Sequence, residues 1–167
     1  GEGYKAADGN KVITDQGIAF NNYVVEDGSI LLKAQPVFQG TVAGYTSGGY
    51  SPSNNTIDKF SFATDGNATD VGDLTSIRHK VSGQSSSENG YISGGTYVPT
   101  AIINKFPFAV DANATTVGLL TAARYYPTGQ SSLTHGYASG GGAAFKNIID
   151  KFPFAVDGNA TDVGDLT

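Results

Sequence analysis

The sequence predicts an all-β protein that contains three copies of one structural unit. Only 15% of its 167 residues are charged, whereas glycine contributes 23 residues and tyrosine and phenylalanine contribute 9 each. Few charges, much glycine and many aromatic rings are typical of short strands joined by tight turns. A sequence repeat at a fixed interval of 46 residues is the second observation. Together they argue against a helical bundle and against a disordered tail.

Each copy of the repeat carries the same two markers, with no insertion or deletion between them. The first is a Gly-Tyr-x-Ser-Gly-Gly run, and the second is a Lys-Phe-x-Phe run. The glycine pairs are Gly48 and Gly49, Gly94 and Gly95, and Gly140 and Gly141, and the first phenylalanines are Phe60, Phe106 and Phe152. We expect these positions to be structural, because they recur while the residues between them change.

One repeat predicts four short antiparallel strands. In the second copy they lie near residues 83–87, 90–93, 103–109 and 116–120. Phe106 and Phe108 are two residues apart in the third strand and therefore point to the same face. A turn at 111–113 joins the third strand to the fourth. Four strands in one repeat of this length match a β-propeller blade, whose repeats span about 40–50 residues.

The order of these features resembles the kelch repeat. Arg78 and Arg124 precede the first strand, as an arginine does in a kelch blade, and the aromatic Gly-Gly run follows the second strand. The sequence departs from kelch in the fourth strand, where valine stands in place of tryptophan (Val71, Val117 and Val163). The resemblance implies kelch-like β-propeller blades: three four-stranded antiparallel blades of 46 residues.

The amino-acid sequence of the repeats is similar to that of repeats in virion structural and tail proteins of marine tailed phages, cyanophages in particular. The similar runs are Ile-Asp-Lys-Phe-Pro-Phe-Ala, Asp-Val-Gly-Asp-Leu-Thr and Gly-Gln-Ser-Ser, and the resemblance covers residues 36–167. It implies a virion location, as a tail, fibre or capsid-attached component. Other virion proteins are then the expected partners, together with a host surface protein or glycan. The alternative is a bacterial cell-surface or secreted adhesive or filament protein.

The domain organisation follows from where the repeat begins. Residues 1–35 do not repeat and predict a short N-terminal β arm or meander, either a virion anchor or a cap on the first blade. Its strand-like runs are 11–14, 19–20, 23–25 and 30–32. The blades are expected at about 36–75, 78–121 and 124–167.

Three blades do not close a ring, because propellers have about 4–8. Three solutions remain open: further blades in a longer chain, a homo-oligomer that completes the ring, or stacking against other virion proteins. Truncation of a longer array is favoured, since segments 57–75 and 149–167 differ at only two positions.

Composition also bears on chemistry and partners. The net charge of −5 argues against nucleic acid as a partner, and no apolar run reaches the roughly 18 residues of a membrane-inserted helix. The absence of cysteine excludes thiol nucleophiles and thiolate metal sites. No catalytic motif is visible, so we expect no enzyme, no cofactor and no metal.

Asp and Asn residues in the turn between the third and fourth strands allow two interpretations. Asp65, Asn67, Asp70 and Asp73 could supply oxygen ligands for Ca²⁺, but such residues are routine in tight turns, which is the favoured interpretation. The Asn-Ala-Thr sequons in the same turns begin at Asn67, Asn113 and Asn159. Here too a role in the turn is favoured over glycosylation.

The loop after each Gly-Gly pair varies between copies and carries an aromatic residue: Tyr50, Tyr97 and Phe145. Aromatic side chains in variable loops on a rigid scaffold suit recognition of a protein or a sugar, although unconstrained drift explains them equally well. Arg78 and Arg124 are interpreted as bridges between blades through backbone carbonyls, rather than as ligand-binding groups.

Overall fold

The computed structural model describes residues 23–26, 29–32, 42–96, 100–142 and 146–167, and these contain strands and turns but no helix. The chain divides into two compact units, residues 1–37 and 38–167. In the first unit β1 (Tyr23–Glu26) pairs antiparallel with β2 (Ser29–Leu32). Two of the four strand-like runs of the N-terminal segment lie in this hairpin. The other two, 11–14 and 19–20, lie outside the described residues.

The second unit contains three antiparallel sheets whose strands follow one another in chain order. Sheet 1 contains β3 (Ala43–Tyr50), β4 (Ser53–Ser61) and β5 (Thr69–Asp73). Sheet 2 contains β6 (Ser82–Ser85), β7 (Asn89–Ser93), β8 (Thr100–Pro107) and β9 (Thr115–Arg124). Sheet 3 contains β10 (Thr128–Ser131), β11 (His135–Ser139), β12 (Ile148–Pro153) and β13 (Thr161–Asp165).

The all-β prediction is confirmed, and the second and third repeats form four-stranded sheets. Three described strands belong to the first repeat, and residues 36–41 at its start lie outside the described part. The connection between the third and fourth strands differs from a tight hairpin, because in sheet 2 it runs from residue 108 to residue 114. Its length follows from its contacts with the preceding sheet, which are described below.

The Gly-Tyr marker is explained by an aromatic ring that lies over the glycine. Gly90 in β7 is opposite Phe106 in β8, and a Cβ on Gly90 would overlap the Phe106 ring. Gly136 and Phe152 make the same pair in sheet 3. Only glycine therefore allows the phenylalanine to fold flat across its neighbouring strand, where the ring covers the buried glycine backbone.

The Gly-Gly marker ends the second strand with backbone conformations that favour glycine. Gly94 and Gly140 have φ of 67° and 64°, and Gly95 and Gly141 have φ of 105° and 94°. The first copy differs, because only its first glycine has a positive φ. There β3 continues through Gly49 and pairs with β4 as far as Tyr50 opposite Ser53, so its second marker glycine is part of an extended hairpin.

The apolar cores lie between consecutive sheets. Between sheets 1 and 2 the core contains Ile57, Leu74, Ile92, Phe106 and Ala114. Between sheets 2 and 3 it contains Tyr91, Ile103, Leu120, Ala138, Phe152 and Ala160. Each sheet therefore buries its apolar surface against the next sheet, and the repeat is a structural unit only together with its neighbours.

Candidate functional site

The same side chains meet at both seams between consecutive sheets. Lys59 Nζ lies 3.1 Å from the Asp111 carboxylate, and Lys105 Nζ lies 2.5 and 2.8 Å from the two carboxylate oxygens of Asp157. Each pair joins the third strand of one sheet to the loop before the fourth strand of the next sheet. These ion pairs are partly exposed and therefore contribute only modestly to stability, but they set the alignment of neighbouring sheets.

A tyrosine of each sheet stacks on a phenylalanine of the next. The ring centroids of Tyr45 and Phe108 are 4.9 Å apart with planes 23° from parallel. The equivalent rings of Tyr91 and Phe154 are 4.8 Å apart and 24° from parallel. The aromatic residues of the two markers are thus paired across both seams, and their stacking holds consecutive sheets together.

The sequon asparagines bind the backbone of the preceding sheet. The Asp73 N–H donates to Asn113 Oδ1 at 2.9 Å, and the Leu119 N–H donates to Asn159 Oδ1 at 3.0 Å. A polar backbone role was expected for these residues, but their partners lie in a neighbouring sheet rather than in their own turn. Asp70 Oδ1 accepts the Gly72 N–H at 3.1 Å, which is a local turn bond of the expected kind.

Arg78 crosses the first seam. Its backbone N–H donates to the Asn54 carbonyl in sheet 1 at 3.2 Å. Its guanidinium is fully buried in sheet 2, where Nη1 donates to the carbonyls of Gly94 at 3.3 Å and Ile102 at 3.2 Å. Nη2 donates to Asn104 Oδ1. The guanidinium thus bonds within sheet 2 and only the backbone of Arg78 reaches sheet 1, so the expected bridge between blades stays a prediction.

Arg124 also bonds to two backbone carbonyls, here in sheet 3, but its side-chain partner is charged. Nη2 donates to the Ala138 carbonyl at 3.1 Å, and Nη1 donates to the Ile148 carbonyl at 3.4 Å. Nη2 also forms a fully buried ion pair with Asp150. The Thr121 hydroxyl and N–H donate to the same carboxylate at 2.6 and 3.1 Å. The carboxylate therefore has three donors and is well satisfied despite its burial.

The two arginines differ in electrostatics because the equivalent partner position holds a neutral Asn104 in sheet 2 and a charged Asp150 in sheet 3. Arg78 is buried beside a neutral amide, and burial lowers the pKa of its guanidinium from its ordinary value to about 10. Desolvation disfavours the charged form, and here no carboxylate offsets it. Arg78 is therefore a desolvated cation without a carboxylate partner, whereas Arg124 at the second seam is paired with Asp150.

We expect Asn104→Asp to stabilise the protein below pH 10 by supplying the missing carboxylate. In the wild type the folded-state pKa of Arg78 lies below its unfolded value, so the unfolded state binds more protons above about pH 10 and stability rises with pH there. The variant lacks this rise. Its advantage in the free energy of unfolding, measured in urea at a series of pH values, should shrink as the pH rises through 10. A pH-independent difference would contradict the explanation.

The aromatic loop candidates are only partly described by the structure. Tyr50 ends β3 and is 61% exposed, and its ring lies edge-on to the His79 ring at 5.1 Å. Tyr97 and Phe145 lie outside the described residues, so their recognition role stays a prediction. Tyr50 is therefore the one aromatic loop candidate whose neighbours lie within the described residues.

A group of aromatic and basic side chains continues from Tyr50 along the segments that link the sheets. Lys80 Nζ lies 5.2 Å from the Tyr125 ring centroid and 5.1 Å from that of Tyr126. The Tyr126 side chain is 62% exposed. We call Tyr50, His79, Lys80, Tyr125 and Tyr126 the ring cluster. Flat aromatic faces beside an ammonium group suit contact with a sugar ring or with a protein side chain.

The backbone holds the ring cluster in place through left-handed residues in the linkers. Lys80 and Tyr126 have φ of 59° and 55°, although neither is glycine. The Tyr126 N–H donates to the Lys80 carbonyl at 2.8 Å, and the Thr96 N–H donates to the His79 carbonyl at 2.8 Å. Such backbone conformations are uncommon outside glycine, asparagine and aspartate, and here they bring consecutive linkers together.

Sequence analysis missed His79, Lys80, Tyr125 and Tyr126. A usable signal was present, because His79 and Tyr125 occupy equivalent repeat positions, as do Lys80 and Tyr126. His79 and Lys80 follow Arg78, and Tyr125 and Tyr126 follow Arg124. Residue type alone does not indicate that one linker lies against the next.

Among the residues that the structure describes, no three His, Asp or Glu side chains lie close enough together to hold a metal ion. The described part of the chain contains no helix with the length and apolar character needed to cross a membrane. Comparison with protein-family models gives no match, and comparison with curated protein sequences gives none either.

Proposed function

We propose that this chain is a non-enzymatic structural protein of a phage virion: a tail, fibre or capsid-attached component that uses kelch-like propeller blades as a host-recognition scaffold. The observation that carries the recognition role is the ring cluster, which presents exposed tyrosines beside a lysine. The virion location is supported by the wording of the repeats. The alternative location, the surface of a bacterium, would use the same scaffold for adhesion.

The seams between sheets support a scaffold role. Sheets 1 and 2 each commit a tyrosine and a lysine of their markers to the next sheet, through the ring stack and the ion pair. In sheet 2 the aromatic and ionic members are Tyr91 and Lys105, and each reaches into sheet 3. Residues engaged in this way hold the sheets in fixed succession. The surface that remains available for binding is therefore in the loops and linkers, where variation leaves the packing intact.

The exposed tyrosines of the ring cluster support recognition. Tyr50 and Tyr126 are 61% and 62% exposed, yet both are ordered by neighbours in adjacent segments. Rigid tyrosines bind at low entropic cost because few rotatable bonds must be fixed. The adjoining Lys80 adds a charged donor within an otherwise acidic protein. This combination fits an uncharged or acidic glycan, or an acidic protein surface, on the host.

Location is tested by mass spectrometry and immunogold labelling of purified particles from a lysate that contains the protein. We expect the chain in the particles at a stoichiometry of several copies. Its recovery in the host cytoplasm, with none in the particles, would overturn the virion proposal. Recovery from the outer surface of uninfected cells would instead establish the adhesive alternative.

Recognition is tested with the double variant Tyr50→Ala/Tyr126→Ala. We expect binding to host cells or to isolated surface glycans to fall at least about tenfold, because aromatic anchors carry much of the binding energy of an interface. Leu133→Ala is the matched control, since Leu133 is 66% exposed and lies outside the ring cluster. Equal binding by both variants, with unchanged thermal unfolding, would remove the ring cluster from the proposed function.

A further inference from the structure

At each end of the described repeat region, one outer sheet presents residues that pair across the internal seams but have no described partner there. In sheet 1, Phe60 and Phe62 are 38% and 53% exposed, whereas the equivalent Phe106 and Phe152 are 3% and 2% exposed. In sheet 3, Tyr137 stands where Tyr45 and Tyr91 stand in the other copies, but no described phenylalanine ring lies against it. One end thus offers phenylalanines without a tyrosine, and the other offers a tyrosine without phenylalanines.

The charged residues at the two ends are complementary in the same way. Lys151 continues the series of Lys59 and Lys105, but it forms no ion pair with any described residue. Asp65 continues the series of Asp111 and Asp157, and it too has no described lysine partner. A cation and an anion are therefore left over at opposite ends, each in the position that is paired at both internal seams.

The backbone groups of the two ends continue the same series. Asp165 stands where Asp73 and Leu119 donate their N–H groups to an asparagine of the next sheet. Asn67, in sheet 1, is the equivalent of those accepting asparagines. Beside them, a Cβ on Gly164 would meet nothing within 4 Å, although its equivalent Gly118 closely approaches the next sheet.

We infer that these two end faces dock against each other in trans, with a second copy of this chain as the occupant. Tyr137 of one copy stacks on the Phe60 and Phe62 side of the other, and Lys151 pairs with Asp65. This contact between chains would repeat the residue pairing that is already present at both internal seams. A face that pairs with a different face makes a heterologous contact, which either closes a ring or grows into a filament.

Ring closure favours two chains. If the sheets are propeller blades, as proposed above, two copies of these three sheets supply six blades, a number within the range of about 4–8. The face pairing rests on the seam contacts alone, while this ring size rests on the proposed propeller arrangement. We therefore expect a two-chain ring in which both pairs of end faces are occupied.

Asp58 would have no arginine partner in the contact between two chains. Asp58 is the equivalent of Asn104 and Asp150, but the position of the first copy that corresponds to Arg78 and Arg124 is occupied by Leu32, which belongs to the N-terminal hairpin. Docking would bring Asp58 into the seam without an arginine, and covering an unpaired carboxylate is costly. The contact between chains should consequently be weaker than the internal seams and depend on protein concentration.

The inference is tested by sedimentation of the full chain over a range of concentrations, with charge reversals in trans. We expect a reversible dimer. Asp65→Lys and Lys151→Glu should each weaken it about tenfold, because an attraction becomes a repulsion. An equimolar mixture of the two variants should recover the wild-type affinity, since the lysine introduced in one chain then meets the glutamate introduced in the other. Glu88→Lys makes the same charge change in sheet 2, which has both faces covered, and serves as the matched control.

The outcomes separate the inference from the proposed function. A monomer at all concentrations would overturn the face pairing, and so would a dimer that is insensitive to both reversals or not restored by mixing. A concentration-dependent ladder that responds to the reversals would keep the face pairing and overturn two-chain closure. None of these results depends on finding the protein in virions, so the location proposal stands or falls separately.

Discussion

Arg124→Ala should lower the free energy of unfolding by about 3–5 kcal/mol, which is the typical cost of leaving a buried charge without its partner. Arg124 and Asp150 are both completely buried, and removal of the arginine leaves the carboxylate with only the two bonds from Thr121. It also leaves the Ala138 and Ile148 carbonyls without their guanidinium donor. Urea unfolding followed by tyrosine fluorescence is suitable, because the chain has no tryptophan and nine tyrosines.

The equivalent substitution in sheet 2 provides the control. Arg78→Ala likewise removes a guanidinium that bonds to two backbone carbonyls, but it leaves a neutral Asn104, so the expected cost is about 1–3 kcal/mol, that of unmatched polar groups alone. The double variant Arg124→Ala/Asp150→Asn should recover part of the loss, since no buried carboxylate remains uncompensated. Equal losses for the two single variants, with no recovery in the double variant, would show that charge does not explain the difference.

Most of the strand arrangement was accessible to sequence analysis because glycine and aromatic residues recur at one fixed interval. The Gly-Tyr and Lys-Phe-x-Phe markers located the second and third strands of each repeat, and the second and third copies form the expected four-stranded sheets. Strand ends were less accessible. β9 continues to Arg124, although the pattern indicated an end near residue 120, because its last residues pair with Thr100 at the start of β8.

The candidate site was harder to predict because its geometry depends on contacts between repeats. Asn104 and Asp150 are visible in the sequence at equivalent positions, but their partnership with the arginines requires knowing which groups each seam buries together. The left-handed backbone of Lys80 and Tyr126 is also hidden, because neither residue type favours that conformation. A repeat reveals equivalence between positions, whereas the ring cluster and the seams are contacts between positions that are not equivalent.

The second large loss of stability is expected when a methyl group is added to a glycine at the seam between sheets 2 and 3. Gly118→Ala should cost about 3 kcal/mol, at the upper end for overpacking, because the new methyl group would overlap the Gly158 carbonyl of sheet 3. That carbonyl belongs to the backbone of a loop whose Asn159 side chain also accepts the Leu119 N–H at 3.0 Å. The loop cannot move away from the methyl group without lengthening this bond, so both contacts are lost together.

The comparison that isolates the seam is Gly83→Ala, since a Cβ on Gly83 meets nothing within 4 Å and the residue has no left-handed backbone. Both substitutions remove the same conformational freedom from the unfolded chain, which slightly favours folding. The difference between their urea midpoints therefore measures the steric cost at the seam. If Gly118→Ala were as stable as Gly83→Ala, sheets 2 and 3 could not pack as closely as the Gly118 contact requires, and the template for docking between chains would fail with it.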